Sequence, residues 1–308
     1  MKIRIISLPV IVCSLALVFN ACKKDSSTTT DNTAELTSQS DDQSRFSTEV
    51  DAVANDANAA LSTNVGMNGG RMEGSPICDA TLVVDSTSDP KTITITYNGT
   101  NCWGNRTRTG VVKLSLPANQ HWKDAGATLT VTFTNLKITR VADGKSITLN
   151  GSKTITNVSG GLVPYLAGQG TITHTITSSG ITVTFDNNTQ RTWQIAEKRV
   201  FTYNNGIVIT TTGTHVDGNN SGIAEWGTNR NGNAFTTTIL EPVVIRQDCN
   251  FRVVSGTVQH SVPNATATVT FGLDKTGAPT SCPTGADTYY FKLVWTVLNT
   301  SHQVILPY

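Results

Sequence analysis

The residues best suited to chemistry stand side by side at Glu225 and Trp226. Sugar sites often join a carboxylate to an aromatic platform, and glycoside hydrolysis requires a pair of carboxyl groups. Past the helix predicted below, the other glutamates are Glu73, Glu197 and Glu241, so a second carboxyl group must come from these or from a few aspartates. A strand residue beside a core tryptophan is the simpler interpretation. A glycoside-type hydrolase stays as an alternative.

Other catalytic patterns are absent from the sequence. The five histidines are scattered and form neither a His-Glu-x-x-His pair nor a Cys/His cluster of the zinc type. The Gly-x-Ser-x-Gly pentapeptide of serine hydrolases is missing, and so is a phosphate-binding glycine loop. We therefore predict a non-catalytic protein with no metal and no cofactor.

Trp103 is the tryptophan that we predict to be exposed, because it lies between Cys102 and the loop-forming pair Gly104 and Asn105. An exposed ring of this kind could stack on a glycan or contact a protein. We therefore name Trp103, with Trp226 and Glu225, as candidate ligand-binding residues.

Four cysteines are expected to form two disulfide bonds. The midpoint of Cys78 and Cys102 is Pro90, in a Ser-Asp-Pro turn, so a hairpin that turns there brings the two cysteines together at its base. The midpoint of Cys249 and Cys282 lies beside a Pro-Asn turn. The predicted bonds are Cys78 to Cys102 and Cys249 to Cys282, each worth roughly 3 to 4 kcal/mol from closing its loop.

Residues 1–21 have the layout of an export signal. Lys2 and Arg4 precede an apolar stretch of about 15 residues, which is shorter than the roughly 20 residues of a membrane-spanning helix. Cys22 follows directly, and this arrangement resembles the lipobox of type II signal peptides. The resemblance implies that Cys22 carries the lipid that anchors the protein; plain secretion with Cys22 as a spare thiol is the alternative.

The chain beyond Cys22 is nearly neutral. The full sequence has 23 Lys and Arg against 22 Asp and Glu, and without Lys2 and Arg4 the balance is 21 against 22. A surface of this kind lacks the basic face that phosphate binding needs, so we predict no nucleic-acid partner.

The first part of the exported chain is polar. Residues 22–43 are rich in Ser, Thr, Asp and Asn and are predicted to form a lipidated flexible tether. An amphipathic helix is predicted over residues 44–64, because apolar residues from Phe46 to Leu61 recur at spacings of three, four and seven. That helix is Ala-rich and needs a larger surface to pack on.

Residues 75–308 are predicted to form an antiparallel β domain, with two halves that could be related. Thr occurs 50 times and often alternates with Ile, Val or Phe, which is typical of strands with one buried face. Nine turn signals, among them Asn150-Gly151 and Ser179-Gly180, separate roughly fourteen strands. The predicted fold class is all-β with one N-terminal helix, as a β-sandwich or a partly closed barrel, because flat sheets rarely exceed about ten strands.

The Cys-Lys-Lys-Asp start at Cys22, the polar tether, the single helix and the segment YNGTNC (Tyr97 to Cys102) resemble uncharacterised lipoproteins of Bacteroidota-type Gram-negative bacteria. This resemblance implies a lipid anchor in the outer membrane, on its periplasmic or cell-surface face. We expect a binding or structural module of the cell envelope whose ligand could be a glycan or a protein. A periplasm-facing lipid carrier, in which a curved sheet wraps an apolar ligand and the helix acts as a lid, is the alternative.

Overall fold

The computed structural model describes residues 32–62, 67, 77–168, 170–282, 288–297 and 299–308. In these residues one long α-helix, α1 (Asn32–Ser62), precedes a series of strands. The fifteen strands are β1 (Ala80–Asp85), β2 (Lys91–Thr100), β3 (Arg106–Leu116), β4 (Ala127–Arg140), β5 (Ser146–Asn157), β6 (Ile172–Phe185), β7 (Gln190–Tyr203), β8 (Ile207–Gly213), β9 (His215–Asp217), β10 (Asn220–Thr228), β11 (Ala234–Arg246), β12 (Arg252–Val262), β13 (Ala265–Leu273), β14 (Tyr290–Val297) and β15 (Thr300–Pro307).

All fifteen strands belong to one antiparallel sheet. Most strands pair with their neighbours in sequence, in the order β1 to β7 and then β10 to β15. The alternation of Thr with apolar residues explains the sidedness: in β2, for example, Ile93, Ile95 and Tyr97 are buried while the residues between them are less so. The predicted class, all-β with one N-terminal helix, is confirmed, and the sheet is continuous rather than split into two layers of a sandwich.

The sheet is partly ring-closed at β7, β8, β10 and β11. Both β8 and β10 pair with β7 on one side and with β11 on the other, so they occupy the same position in the sheet one after the other. Gly213 ends β8 against the backbone of Gly222 in β10, where an added Cβ would lie 2.0 Å from the Gly222 carbonyl oxygen. The residues between them form a small hairpin with β9.

Two predicted turns, Asn150-Gly151 and Ser179-Gly180, are wrong. Both dipeptides lie inside long strands, β5 and β6, where the pairing register shifts. Gly151 has φ +120°, and a Cβ there would lie 2.6 Å from the Gly180 carbonyl oxygen. These glycines therefore bend continuous strands, as β-bulges do, instead of ending them.

The sheet curves around α1. Side chains from β5 and from β14 line the same cavity beside the helix, although these strands lie seven strand positions apart. Seven spacings would put them roughly 34 Å apart in a flat sheet. Strong curvature is therefore required, and one buried apolar cluster accordingly extends from α1 to both arms of the sheet.

The predicted tether is wrong for residues 32–43, because α1 begins at Asn32 and not near residue 44. Gln39, Asp42 and Gln43 are buried in spite of their polarity. Asp42 forms ion pairs with Arg191 of β7 and with Arg230 in the turn between β10 and β11. Composition alone suggested a segment unable to bury itself, but partners that are far away in sequence compensate the polar groups.

Both predicted disulfide pairings are confirmed. Cys78 and Cys102 are bonded, as are Cys249 and Cys282, and the Cα atoms are 5.3 Å apart in each pair. The first bond closes the base of the β1–β2 hairpin, and the second links the segment before β12 to the segment after β13.

The predicted signal at residues 1–21, Cys22, the first part of the tether and the end of the predicted helix at residues 63–64 lie outside the described residues. Within the described part of the chain, no helix combines the length and the apolar character needed to cross a membrane.

Candidate ligand cavity

A cavity of about 310 Å³ lies between α1 and the concave face of the sheet. Ligand pockets usually measure roughly 300 to 1,000 Å³, so this space suits a small or slender molecule. The helix forms one wall through residues from Gln43 to Asn58, and strands from β5 to β14 form the other. The cavity exists because the sheet is too wide for one helix to fill its concave side.

Most of the cavity wall is apolar. Aliphatic and aromatic side chains of β8 and β11 to β14 line it, among them Ile209, Ile245, Val258, Val269, Phe271 and Phe291. Each is in the inward phase of its strand, so the alternation that makes the sheet also makes the wall. Such a surface favours contact with apolar groups over contact with water.

Charged side chains gather at the β5–β7–β10 part of the cavity. The guanidinium of Arg199 in β7 contacts Asp51 Oδ1 of α1 at 3.0 Å and Glu197 Oε2 at 3.0 Å. Burial alone would lower the pKa of Arg199, but the charges of Asp51 and Glu197 outweigh it and hold that pKa above its usual value. This ion triad connects the lid-like helix to the sheet beside the apolar space.

Glu225 lies in the same charged region, buried in β10. Its Oε2 accepts a hydrogen bond from Nε2 of Gln43 on α1. Burial, together with repulsion from Glu197, raises the pKa of Glu225 to about 8. At neutral pH this carboxyl group is therefore mostly protonated and adds little negative charge to the cavity.

Lys153 of β5 completes the charged region. It lines the cavity with only 3% of its surface exposed. Burial lowers the pKa of Lys153 to about 8, against the attraction of Asp51. Lys153 lies in the same phase of its strand as the apolar Ile155, so the sequence pattern indicates an inward side chain, although it does not mark Lys153 as a site residue.

His260 provides a neutral polar group on the apolar side. Its Nδ1 lies 3.1 Å from the hydroxyl oxygen of Thr237, and both residues line the cavity. Burial, and then the charge of Arg191, lower the pKa of His260 to about 4, so the ring is uncharged at neutral pH. His174 shares this property without lining the cavity: it is buried between Trp122 and Phe201, with ring centroids 5.2 and 5.0 Å away.

The helix is fixed over the cavity by evenly spaced acidic residues. Asp42, Glu49 and Asp56 recur every seven residues and pair with arginines of the sheet. Glu49 Oε1 lies 2.7 Å from Arg106 Nε, and Asp56 Oδ2 lies 2.7 Å from Arg108 Nη1. These acidic residues therefore lie along one edge of the apolar stripe of α1 and extend its contact with the sheet.

An aromatic contact secures the same end of α1 as Asp42. The rings of Phe46 and Trp193 stack with centroids 3.9 Å apart and an interplanar angle of 19°. The guanidinium of fully buried Arg191 lies 4.3 Å from the Trp193 ring and 4.6 Å from the Phe235 ring. This end of the helix is therefore held by packing and by charge.

The structure does not bring Glu225 and Trp226 to one site. Consecutive strand residues point to opposite faces, and only Glu225 lines the cavity. Trp226 instead stacks on His215, with ring centroids 3.9 Å apart. A carboxylate with an adjacent aromatic platform, as considered from the sequence, is therefore not formed.

Trp103 lies in the loop between β2 and β3 and is 64% exposed. Its neighbour Cys102 is held by the bond to Cys78, which restrains the loop. This candidate residue lies where the sequence predicted it, apart from the residues that line the cavity.

In comparisons with known proteins, no protein-family model, no curated protein and no solved structure matches this chain.

Proposed function

We propose that this protein is a non-catalytic binding module of the cell envelope, anchored by lipid on Cys22, and that the ligand of its β domain is an acyl chain. The observation that carries this proposal is the apolar cavity between α1 and the concave face of the sheet. Each methylene group transferred from water to such a space contributes about 0.8 kcal/mol. A slender hydrocarbon chain therefore gains much from entering it.

A ligand with a polar end fits better than a plain hydrocarbon. The cavity wall is apolar along β11 to β14 and charged where Asp51, Lys153 and Arg199 meet. An amphiphile can place its chain along the first region and its head in the second. This mode of binding corresponds to the lipid carrier considered from the sequence, in which α1 acts as a lid over an apolar ligand.

Two features of the chain support a location in the cell envelope. The signal-like residues 1–21 lead directly to Cys22, and the disulfide bonds of the β domain are of the kind that persists outside the reducing cytosol. Cells grown with a labelled fatty acid should incorporate the label into the wild-type protein and not into Cys22→Ser. Equal labelling of both proteins would contradict the anchor.

Cavity binding is tested by filling the cavity from the helix. Ala54 lines the cavity, whereas Ala52, on the same helix, does not. In the full chain carrying Cys22→Ser, which removes the anchoring lipid, N-phenylnaphthylamine should bind with enhanced fluorescence. Ala54→Trp should weaken that binding at least about tenfold by occupying the space, and Ala52→Trp should leave it unchanged. Binding that is insensitive to Ala54→Trp, or absent from the unmodified cavity, would contradict the proposal.

Capture of a glycan or a protein through Trp103 is a second candidate, favoured by the exposure of that ring on a disulfide-restrained loop. A glycan array probed with the soluble chain tests it. Any binding found should be lost in Trp103→Ala, and binding that survives this change removes Trp103 as the contact.

A further inference from the structure

Lys153 is a buried cation whose donors have no partner among the residues that the structure describes. Within the described residues its ammonium group makes neither a hydrogen bond nor an ion pair, although Asp51, Glu197 and Glu225 act on it electrostatically from farther away. A buried charge without a direct partner is costly, and an ammonium group offers three donors. Its side chain lines the cavity, so a molecule in the cavity can reach it.

Neighbouring acidic groups do not take these donors. Asp51 and Glu197 both bind the guanidinium of Arg199, at 3.0 Å each. Glu225 accepts a hydrogen bond from Gln43. Since its raised pKa keeps it mostly protonated at neutral pH, Glu225 does not supply a permanent negative charge for Lys153 either.

On the assumption that the cavity binds an acyl chain, as proposed above, we infer that Lys153 binds the carboxylate of a fatty acid whose chain lies along β11 to β14. A carboxylate satisfies one ammonium group by charge-assisted hydrogen bonds. The volume of about 310 Å³, at the low end of ligand pockets, suits one chain better than two.

A phosphate head is less suitable. Phosphates carry more charge and are usually held by several cations, whereas Arg199 is already bound to two carboxylates. Those carboxylates would repel a doubly charged head more strongly than a singly charged one. The ligand class is therefore a single-chain carboxylic acid.

The test compares ligands that differ only in their heads. Palmitate, palmityl alcohol and lysophosphatidic acid with the same chain compete with N-phenylnaphthylamine for the delipidated full chain carrying Cys22→Ser, at neutral pH. The variants are Lys153→Met, which keeps the length of the stem and removes the charge, and Lys153→Arg, which keeps the charge. The matched control is Lys198→Met, because Lys198 is exposed on β7, two strands away from β5 in the sheet, and does not line the cavity.

We expect wild type to prefer palmitate over the alcohol. Lys153→Met should weaken palmitate binding about ten- to hundredfold, the range of a charge-assisted hydrogen bond, and should leave the alcohol within about twofold. Lys153→Arg should retain the preference, and Lys198→Met should change nothing. A melting curve for each variant checks that it is folded.

Three outcomes would overturn the inference. If palmitate and the alcohol bind wild type equally, or if Lys153→Met weakens the binding of both ligands equally, the cavity binds acyl chains but Lys153 does not recognise the head group. If lysophosphatidic acid binds more tightly than palmitate, the head is a phosphate. If none of the three ligands competes, the proposed function itself fails.

Discussion

At the scale of single residues, the cavity contains buried ionisable groups that differ in how their charge is neutralised. Glu225 is the clearest case. Its residue type indicated possible chemistry, but the environment of its side chain could not be predicted from the neighbouring residues in the sequence. Its partners Gln43 and Glu197 come from a helix and another strand, 182 residues before it in the case of Gln43. Sequence identified the residue, and only tertiary packing shows that it faces an apolar space.

The raised pKa of Glu225 predicts a pH-dependent effect of Glu225→Gln. The folded-state pKa of about 8 exceeds the ordinary value of 4.5, so the folded protein holds this proton more tightly than the unfolded chain. This contribution to stability is complete below pH 4.5 and is lost as the pH rises through 8. Glutamine cannot ionise, so the variant should match wild type at pH 4 and be more stable at pH 8 by up to about 4 kcal/mol.

Denaturant unfolding at the two pH values measures this difference. Glu241→Gln, at an exposed position of β11, is the control. Its free energy of unfolding should differ from that of wild type by the same small amount at both pH values. A difference between Glu225→Gln and wild type that does not change with pH would show that Glu225 is ionised in the folded protein.

At the scale of elements, α1 is where sequence reasoning succeeded and failed within one segment. The apolar residues from Phe46 to Leu61 predicted a helix with a buried stripe, and these residues are buried. Residues 32–43 have no such stripe, and they are helical because Asp42 meets arginines from β7 and from the turn between β10 and β11. Pairing across such sequence distances leaves no local pattern.

We predict that Asp42→Ala destabilises the protein strongly. The change leaves Arg191, which is fully buried, without its carboxylate, and breaking a buried ion pair costs about 3 to 5 kcal/mol. Asn58→Ala, at an exposed position on the same helix, should alter the free energy of unfolding by less than about 0.5 kcal/mol. Comparable effects of the two changes in urea unfolding would mean that the first half of α1 is not packed on the sheet.

The strand elements depend on glycines that sequence reasoning placed in turns. Gly151 allows β5 to pass close to Gly180 of β6, and a Cβ there would lie 2.6 Å from backbone oxygen. Gly151→Ala should therefore cost clearly more stability than Gly144→Ala, because Gly144 also has a positive φ but nothing within 4 Å of an added Cβ. The left-handed backbone alone costs about 1 to 2 kcal/mol at each position. Thermal melting of both variants measures this difference. Equal decreases in melting temperature for the two variants would argue against a bulge at Gly151.

At the scale of the whole molecule, the architecture follows from local rules repeated along the chain. Alternating Thr and apolar residues give strands, short polar turns give antiparallel neighbours, and both disulfide pairs follow from hairpin symmetry. The sequence left open whether the strands form a sandwich or one curved sheet, because the curvature depends on the bulges and on the helix that the sheet surrounds. The cavity follows from that curvature, so neither its position nor Lys153, Arg199 and Asp51 as its charged group could be assembled from sequence spacing.

Photolabelling shows whether an acyl chain lies between α1 and the concave face of the sheet. A fatty acid with a diazirine on its acyl chain is mixed with the full-length protein carrying Cys22→Ser, and the complex is irradiated. The labelled peptides are then mapped by mass spectrometry. We expect labels on α1 around Val50 and on the inward residues of β11 to β14, such as Val269, and loss of both with excess palmitate. Labels confined to the outer face or to the loop around Trp103, or labels that palmitate does not displace, would contradict it.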